Sequence, residues 1–193
     1  MQGILIDFKD SYTLNLWEAF RQIGLKLDII SYEDIHNIDI KNLKINCLIL
    51  SPGPYNPSNY PNILNWIQFF EKKIPIIGIC LGHQIIGAFY GHSIKRAKDP
   101  IHGVPINVSF KNHNIFPFEK TEVMPYHSLV VEPLESSPLI TIAINDSNEI
   151  MGFKHRNLPI LSVQFHPESV GTIQSKEFFE AFLRLINKSP SNP

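Results

Sequence analysis

Cysteine is scarce in this chain: only Cys47 and Cys80 occur in 193 residues. That excludes a disulfide-stapled scaffold and leaves no Cys-x-x-Cys pair for a structural zinc. The eight histidines form no His-Glu-x-x-His and no facial triad at a readable spacing, so no metal is expected. A P-loop and a dinucleotide fingerprint are both missing, which removes ATP and NAD from the expected ligands. Charge of one sign is also lacking. A net charge of -1 gives no pull toward nucleic acid or an anionic membrane. No apolar run approaches the roughly 20 residues of a membrane span, and no charged-then-apolar leader opens the chain. The expectation is a protein of the reducing cytoplasm with neither nucleic acid nor membrane as a partner.

What is present is an ordinary globular balance, 44% apolar residues, in a length that suits one domain with a full core. The expected domain covers residues 1–188, followed by a disordered tail at 189–193 (Ser-Pro-Ser-Asn-Pro). Gly3–Asp7 reads as a first strand. Asp10 or Ser11 is placed to cap a helix carrying Leu14, Trp17, Phe20 and Ile23, and Gly24 ends it. Lys26–Ile30 and Ile45–Leu50 read as the next strands, with an unassigned segment between them. In the latter strand Cys47 is a small buried hydrophobe. A helix over Ile63–Phe70 follows Pro61, and a fourth strand runs to Ile79. Strands alternating with helices in this way imply right-handed crossovers and a largely parallel sheet covered on both faces. After Tyr90 the texture turns β-rich, with pieces near 105–110, 129–132, 139–145 and 150–155. The turn cluster Asn145-Asp146-Ser147-Asn148 joins the last two as a hairpin. A buried strand at 159–164 and a final helix at 173–186, with Phe178 and Phe182 on its apolar face, complete the reading.

The stretch Gly78-Ile79-Cys80-Leu81-Gly82-His83-Gln84 stands apart. A buried strand meets a helix there, with glycine on either side of a cysteine. A sharp strand-to-helix turn of this kind lifts a nucleophile clear of a sheet, and helix N-terminal N–H groups favour a thiolate. The plainer reading, an inert buried thiol, is the commoner fate of a lone cysteine, but the flanking glycines weigh against it. A thiol nucleophile needs a base and a group to orient that base. His166 and Glu168, in Gln164-Phe165-His166-Pro167-Glu168-Ser169, are spaced to face one side of an extended segment. A solvated surface turn explains the same spacing, and from spacing alone the two stand even. Acyl transfer also requires oxyanion donors. The N–H of Leu81 is one candidate, and the loop Ser51-Pro52-Gly53-Pro54 is the candidate source of a second. His83, His102 and His127 each read first as packing or hydrogen-bonding residues.

Together, Gly78–Gln84, Ser51–Pro54 and Phe165–Ser169 resemble the class I (triad) glutamine amidotransferases, and the likeness spans nearly the whole chain in the right order. Asp10, Ser11 and Asn15, with Tyr126-His127-Ser128-Leu129, narrow it toward the glutaminase subunits of anthranilate synthase and 4-amino-4-deoxychorismate synthase. The resemblance implies a flavodoxin-like α/β three-layer sandwich with a largely parallel mixed sheet. It also implies a glutaminase in which Cys80 attacks glutamine, His166 acts as base and then acid, and Glu168 orients His166. Gly53 and Leu81 match oxyanion positions, and Gly53, Gln84, Ser128 and Leu129 match positions that hold glutamine. Ammonia would pass to a chorismate-binding synthase subunit (component I), which would carry the Mg2+, while this chain needs no cofactor. The alternatives are a γ-glutamyl thiol hydrolase of another pathway and a catalytically idle regulatory subunit. The chain departs from the family pattern at Tyr55, where glycine often follows Pro-Gly-Pro, and at Val104, where lysine often follows His-Gly.

Overall fold

A computed structural model describes residues 1–111 and 114–188. The expected disordered tail therefore lies outside the described residues. In chain order the elements are β1 (Gln2–Asp7), α1 (Thr13–Gln22), β2 (Lys26–Ser31), β3 (Leu48–Leu50), α2 (Ile63–Phe70), β4 (Ile76–Ile79), α3 (Leu81–Phe89) and β5 (Ile94–His102). They continue as β6 (Ile106–Phe110), β7 (Lys120–Val123), β8 (Tyr126–Val131), β9 (Leu139–Asn145), β10 (Ile150–His155), β11 (Ile160–Val163) and α4 (Ser175–Lys188).

Nine strands form one sheet in the order β2-β1-β3-β4-β11-β10-β9-β6-β7. The first five run parallel and the rest continue antiparallel. The fold is thus the expected α/β arrangement, a mixed sheet with helices on both faces. The parallel half comes from strand–helix–strand units, whose crossovers force neighbouring strands to point the same way. The carboxyl ends of β3, β4 and β11 therefore lie at one edge, where doubly wound sheets place their ligands. β5 and β8 form a separate antiparallel pair.

Alternation along the central strands divides the core in two. Leu5, Ile49, Ile77 and Leu161 face Leu16 and Phe20 of α1 and Phe178 and Phe182 of α4. Ile4, Ile6, Leu48, Leu50 and Ile76 face Ile63, Trp66 and Ile67 of α2 and Ile85 and Ile86 of α3. Strands buried on both faces read as unbroken apolar runs for this reason.

Local details differ from the sequence reading. Leu14 is 67% exposed, and α1 buries Thr13, Leu16 and Phe20 instead. No side chain caps α1. The Asp10 carboxylate accepts from the Tyr12 N–H at 2.8 Å, forming a turn ahead of the helix. Asp7 accepts from the Thr13 hydroxyl, also at 2.8 Å. Gly24, at φ 84°, ends the helix as expected, with the Leu25 N–H reaching back to the Phe20 carbonyl. The regular part of β3 starts only at Leu48. The unassigned segment folds as short 3-10 turns at Tyr32–Asn37 and Ile40–Asn42. Strands β5 and β7 add to the expected elements: β5 lacks apolar alternation, and β7 alternates over only four residues, Lys120–Val123, at the lower limit of what marks a strand by pattern.

Truncating Phe178 to Ala empties a site walled by aromatic rings and should cost about 3–5 kcal/mol. Leu14→Ala should change stability by less than about 0.5 kcal/mol. Urea denaturation of both variants checks the assignment, and similar losses from the two would contradict it.

Candidate active site

Between the last residue of β4 and the first of α3 stands a single residue, Cys80, with φ 53° and ψ -103°. A non-glycine residue on this side of the Ramachandran map stores about 1–3 kcal/mol. Two backbone bonds pin it: the Cys80 N–H donates to the Val163 carbonyl at 2.9 Å, and its own carbonyl accepts from the Gln84 N–H at 3.2 Å. The glycines beside it serve close approach, because the strained dihedral belongs to the cysteine. A Cβ on Gly82 would lie 2.7 Å from that of Leu50, and one on Gly78 would lie 2.6 Å from the Gly82 carbonyl oxygen. β3, β4 and the first turn of α3 interlock only without those side chains.

His166 follows β11 and is held by its N–H bond to the Met124 carbonyl at 3.0 Å. Its Nδ1 lies 2.7 Å from Glu168 Oε1, and the two side chains are 2% and 0% exposed. A solvated surface turn is therefore excluded. An ionised carboxylate only accepts, so Nδ1 carries the proton and Nε2 is left toward the thiol. Burial works against a charged imidazole here. The attraction of Cys80 and Glu168, with their hydrogen bonding, outweighs it and raises the pKa of His166 well above its ordinary value. Nε2 itself makes no hydrogen bond of ordinary geometry. The Cys80–His166 interaction is accordingly an electrostatic contact, loose in the way of sites without substrate. Tyr12 and Tyr126 set their rings edge-on to the imidazole, each 5.0 Å from its centre.

A cavity of about 370 Å³ opens in front of the sulfur, within the range of small-molecule pockets. Cys80, Leu81 and Gln84 form one wall, Gly53, Pro54 and Tyr55 another, and Arg96 with Tyr126, His127, Ser128 and Leu129 the third. All the glutamine-holding and oxyanion positions expected from the sequence thus border one space. Leu81 opens α3, so its N–H has no acceptor within the helix. Gly53 is required by packing, since a Cβ there would meet the Leu81 and Phe8 side chains at 2.5 Å. Ser51 fixes this loop by accepting from the Phe8 N–H at 3.2 Å and donating to the Pro52 carbonyl at 2.7 Å.

Tyr55, where the sequence departs from the family pattern, takes φ 69°, a conformation glycine would adopt freely. His83 is a structural residue: its Nδ1 is 2.9 Å from the Ser162 hydroxyl and its ring stacks on Phe153. Burial, with His127 and His92 nearby, lowers its pKa to about 3. His127 does line the cavity, whereas the side chain of His102 lies outside those described. Cys47 is fully buried, and burial lifts its pKa to about 12, as befits an inert thiol. Among the described residues no group of acidic, histidine and cysteine side chains is arranged to hold a metal, and no helix is long and apolar enough to cross a membrane.

Four residues join the site beyond those expected from the sequence: Tyr12, Arg96, Tyr126 as a wall of the imidazole, and Gln164. Gln164 was discoverable, because the same two-residue alternation that pairs His166 with Glu168 points it to the same side. Arg96 sits on β5, an element that was itself unread.

The family model for "Glutamine amidotransferase class-I" matches residues 4–186. The aminodeoxychorismate/anthranilate synthase component 2 of Bacillus subtilis (strain 168) is 36% identical over 188 residues, spanning 96% of this chain and 97% of that protein. The anthranilate synthase component 2 of Pseudomonas aeruginosa is 35% identical over 189 residues, spanning 94% of each. Among solved structures, a Thermoplasma acidophilum protein described as a GMP synthase component superposes with a TM-score of 0.82 at 26% identity, covering 97% of this chain and 94% of that one.

Because its folded-state pKa is raised, charged His166 stabilises the fold fully below about pH 6.5, and that contribution is lost as pH climbs through the raised value. An NMR titration of the His166 ring should place its pKa above 6.5 in the native chain and lower in Cys80→Ser and in Glu168→Gln. A native ring titrating at or below the ordinary value would contradict the charge arrangement.

Proposed function

We propose, from the premise that the chain belongs to the class-I glutamine amidotransferase family, that it is the glutaminase subunit of a chorismate-aminating synthase. The observation that carries this is the buried His166–Glu168 pair set behind a strained cysteine at the mouth of an amino-acid-sized cavity.

The Cys80 sulfur, its proton already held on the charged His166 imidazole, attacks the side-chain amide carbon of glutamine. Glu168 holds the imidazole at Nδ1 and supports its charge. The oxygen of the tetrahedral intermediate lies between the N–H groups of Gly53 and Leu81. His166 then gives its proton to the departing nitrogen, ammonia leaves, and a γ-glutamyl thioester to Cys80 remains. Water, activated by the same imidazole, hydrolyses the thioester and releases glutamate. Gln84, Ser128 and Leu129, with Gly53, hold the amino and carboxylate ends of the substrate, and Arg96 adds a guanidinium to the same wall. None of these steps calls for a cofactor in this chain.

The naming of the two bacterial relatives as component 2 supports pairing with a chorismate-binding component I, and that partner is where the Mg2+ of the synthase reaction would reside. The rim of the cavity suits such a contact. Tyr55, which lines the cavity, is 77% exposed. Val104 (59%) and Val170 (104%) present further apolar surface next to Gly103, whose N–H donates to the Pro125 carbonyl, and to Ser169, whose hydroxyl is 3.2 Å from that of Tyr126. The amine made by the complex is anthranilate or 4-amino-4-deoxychorismate. Both cysteines are free, in keeping with a cytoplasmic location.

Cys80→Ser should abolish the glutamine-dependent reaction of the complex, a loss of at least about a thousandfold, while its reaction with added ammonia is retained. Product analysis from chorismate with each nitrogen source checks this. Loss of both activities would mean that the chain does something other than deliver ammonia. Faster hydrolysis of γ-glutamyl peptides than of glutamine would favour a γ-glutamyl hydrolase instead.

A further inference from the structure

Gln164 has no exposed surface, lies at the end of β11, and has no part in the mechanism above. Its hydrogen bonds determine the orientation of two side-chain amides in turn. The Leu129 carbonyl oxygen can only accept, so the Gln84 atom 2.9 Å from it must be the amide nitrogen. The same nitrogen lies 3.2 Å from Gln164, whose facing atom must then be the carbonyl Oε1. The NH2 end of Gln164 is thereby turned to Cys80, with Nε2 3.9 Å from Sγ. Donor and acceptor alternate from a backbone carbonyl to the sulfur, and the sulfur is left facing a donor.

A neutral thiol gains little from an N–H at that distance. An anionic sulfur is a strong acceptor, and the contact tightens as charge develops. Both hydrogens of Gln84 Nε2 are engaged, which leaves its Oε1 as the group it offers to the cavity, an acceptor suited to a substrate ammonium. The ionisable groups that share this environment are His166, with Glu168 behind it and Tyr12 against its ring, and Arg96, Tyr126 and His127 among the lining of the cavity.

We infer that Gln164 is a positioning residue for amide cleavage: through Gln84 it orients an acceptor for the substrate's amino group, and through its own N–H it steadies the anionic sulfur of Cys80. The inference rests on the glutaminase reading for its substrate, but its effect on the sulfur is independent of that reading.

Two variants separate the roles. Gln164→Leu removes donor and acceptor together. Gln164→Glu keeps the acceptor toward Gln84 and sets a negative charge beside the sulfur. Glutamine hydrolysis by the chain paired with its synthase partner, and alkylation of Cys80 by iodoacetamide, are followed from acid to alkaline pH, with Cys80→Ser as the blank. In Gln164→Leu the alkylation profile should move up by about one pH unit, the tenfold effect of losing a hydrogen bond to a charged group. Its kcat should fall and its KM rise. In Gln164→Glu the KM should return toward the native value while kcat and alkylation fall further. Unchanged alkylation profiles and an unchanged kcat in both variants would overturn the inference. Should neither variant fold, the side-chain NH2 resonance of Gln164 in the native chain decides: it must shift as the sulfur titrates, and a resonance that stays in place overturns the proposal equally. A native complex that alkylates normally but fails to hydrolyse glutamine would sink the glutaminase reading and leave the role of Gln164 at the sulfur standing.

Discussion

The reversal of the chain at Cys80 is the constraint on which the rest of the site depends. A left-handed cysteine is unfavourable by itself, and it persists because three neighbouring strands and one helix over-determine it. The Val163 carbonyl of β11 takes its N–H, the Ser51 carbonyl beyond β3 takes the N–H of Gly82, and Leu50 leaves no room for any side chain at 82. The bonds that hold the bend also bring together the carboxyl ends of β3, β4 and β11. Gly53 leaves one of those ends and His166 leaves another, so the Gly53 loop and the imidazole come to the sulfur by the geometry that creates the bend.

Burial organises the electrostatics. An imidazole and a carboxylate at 2% and 0% exposure would each be costly to charge alone. Paired at 2.7 Å, with a thiol on the far side of the ring, they make the charged imidazole the favoured form. Tyr12 and Tyr126 hold the ring edge-on from two directions, which restricts its rotation without supplying another acceptor. Gln164 places a neutral donor 3.9 Å from the sulfur. Each element of the site thus limits where a negative charge can settle, and all of them point to Cys80.

Substrate access is shaped by parts outside the parallel sheet. β8 and the β5 strand paired with it supply Arg96, Ser128 and Leu129, so the wall facing the nucleophile comes from a small independent ribbon. Tyr55 adopts a left-handed dihedral of the kind glycine takes freely and adds an exposed ring at the cavity.

The amino-acid sequence by itself determined the α/β class, the parallel strands and the candidate nucleophile, since these depend on local signals: unbroken apolar runs, helical spacing and glycines around one cysteine. It also supplied His166 and Glu168 as a pair, because a two-residue spacing before and after proline is legible without a fold. It left open whether that pair was buried or solvated, and the tertiary structure decided this by packing the pair beneath two tyrosines. The outward face of Leu14, the uncapped start of α1 and the existence of β5 and β7 were decided the same way, by neighbours distant along the chain. Arg96 and Gln164 became part of the site only when β5 paired with β8 and β11 came to lie beside β4. The physical reason is common to all of them: periodicity and turn chemistry are properties of a few adjacent residues, whereas burial, the alternation of donors and acceptors, and the meeting of strand ends exist only between segments that folding brings into contact.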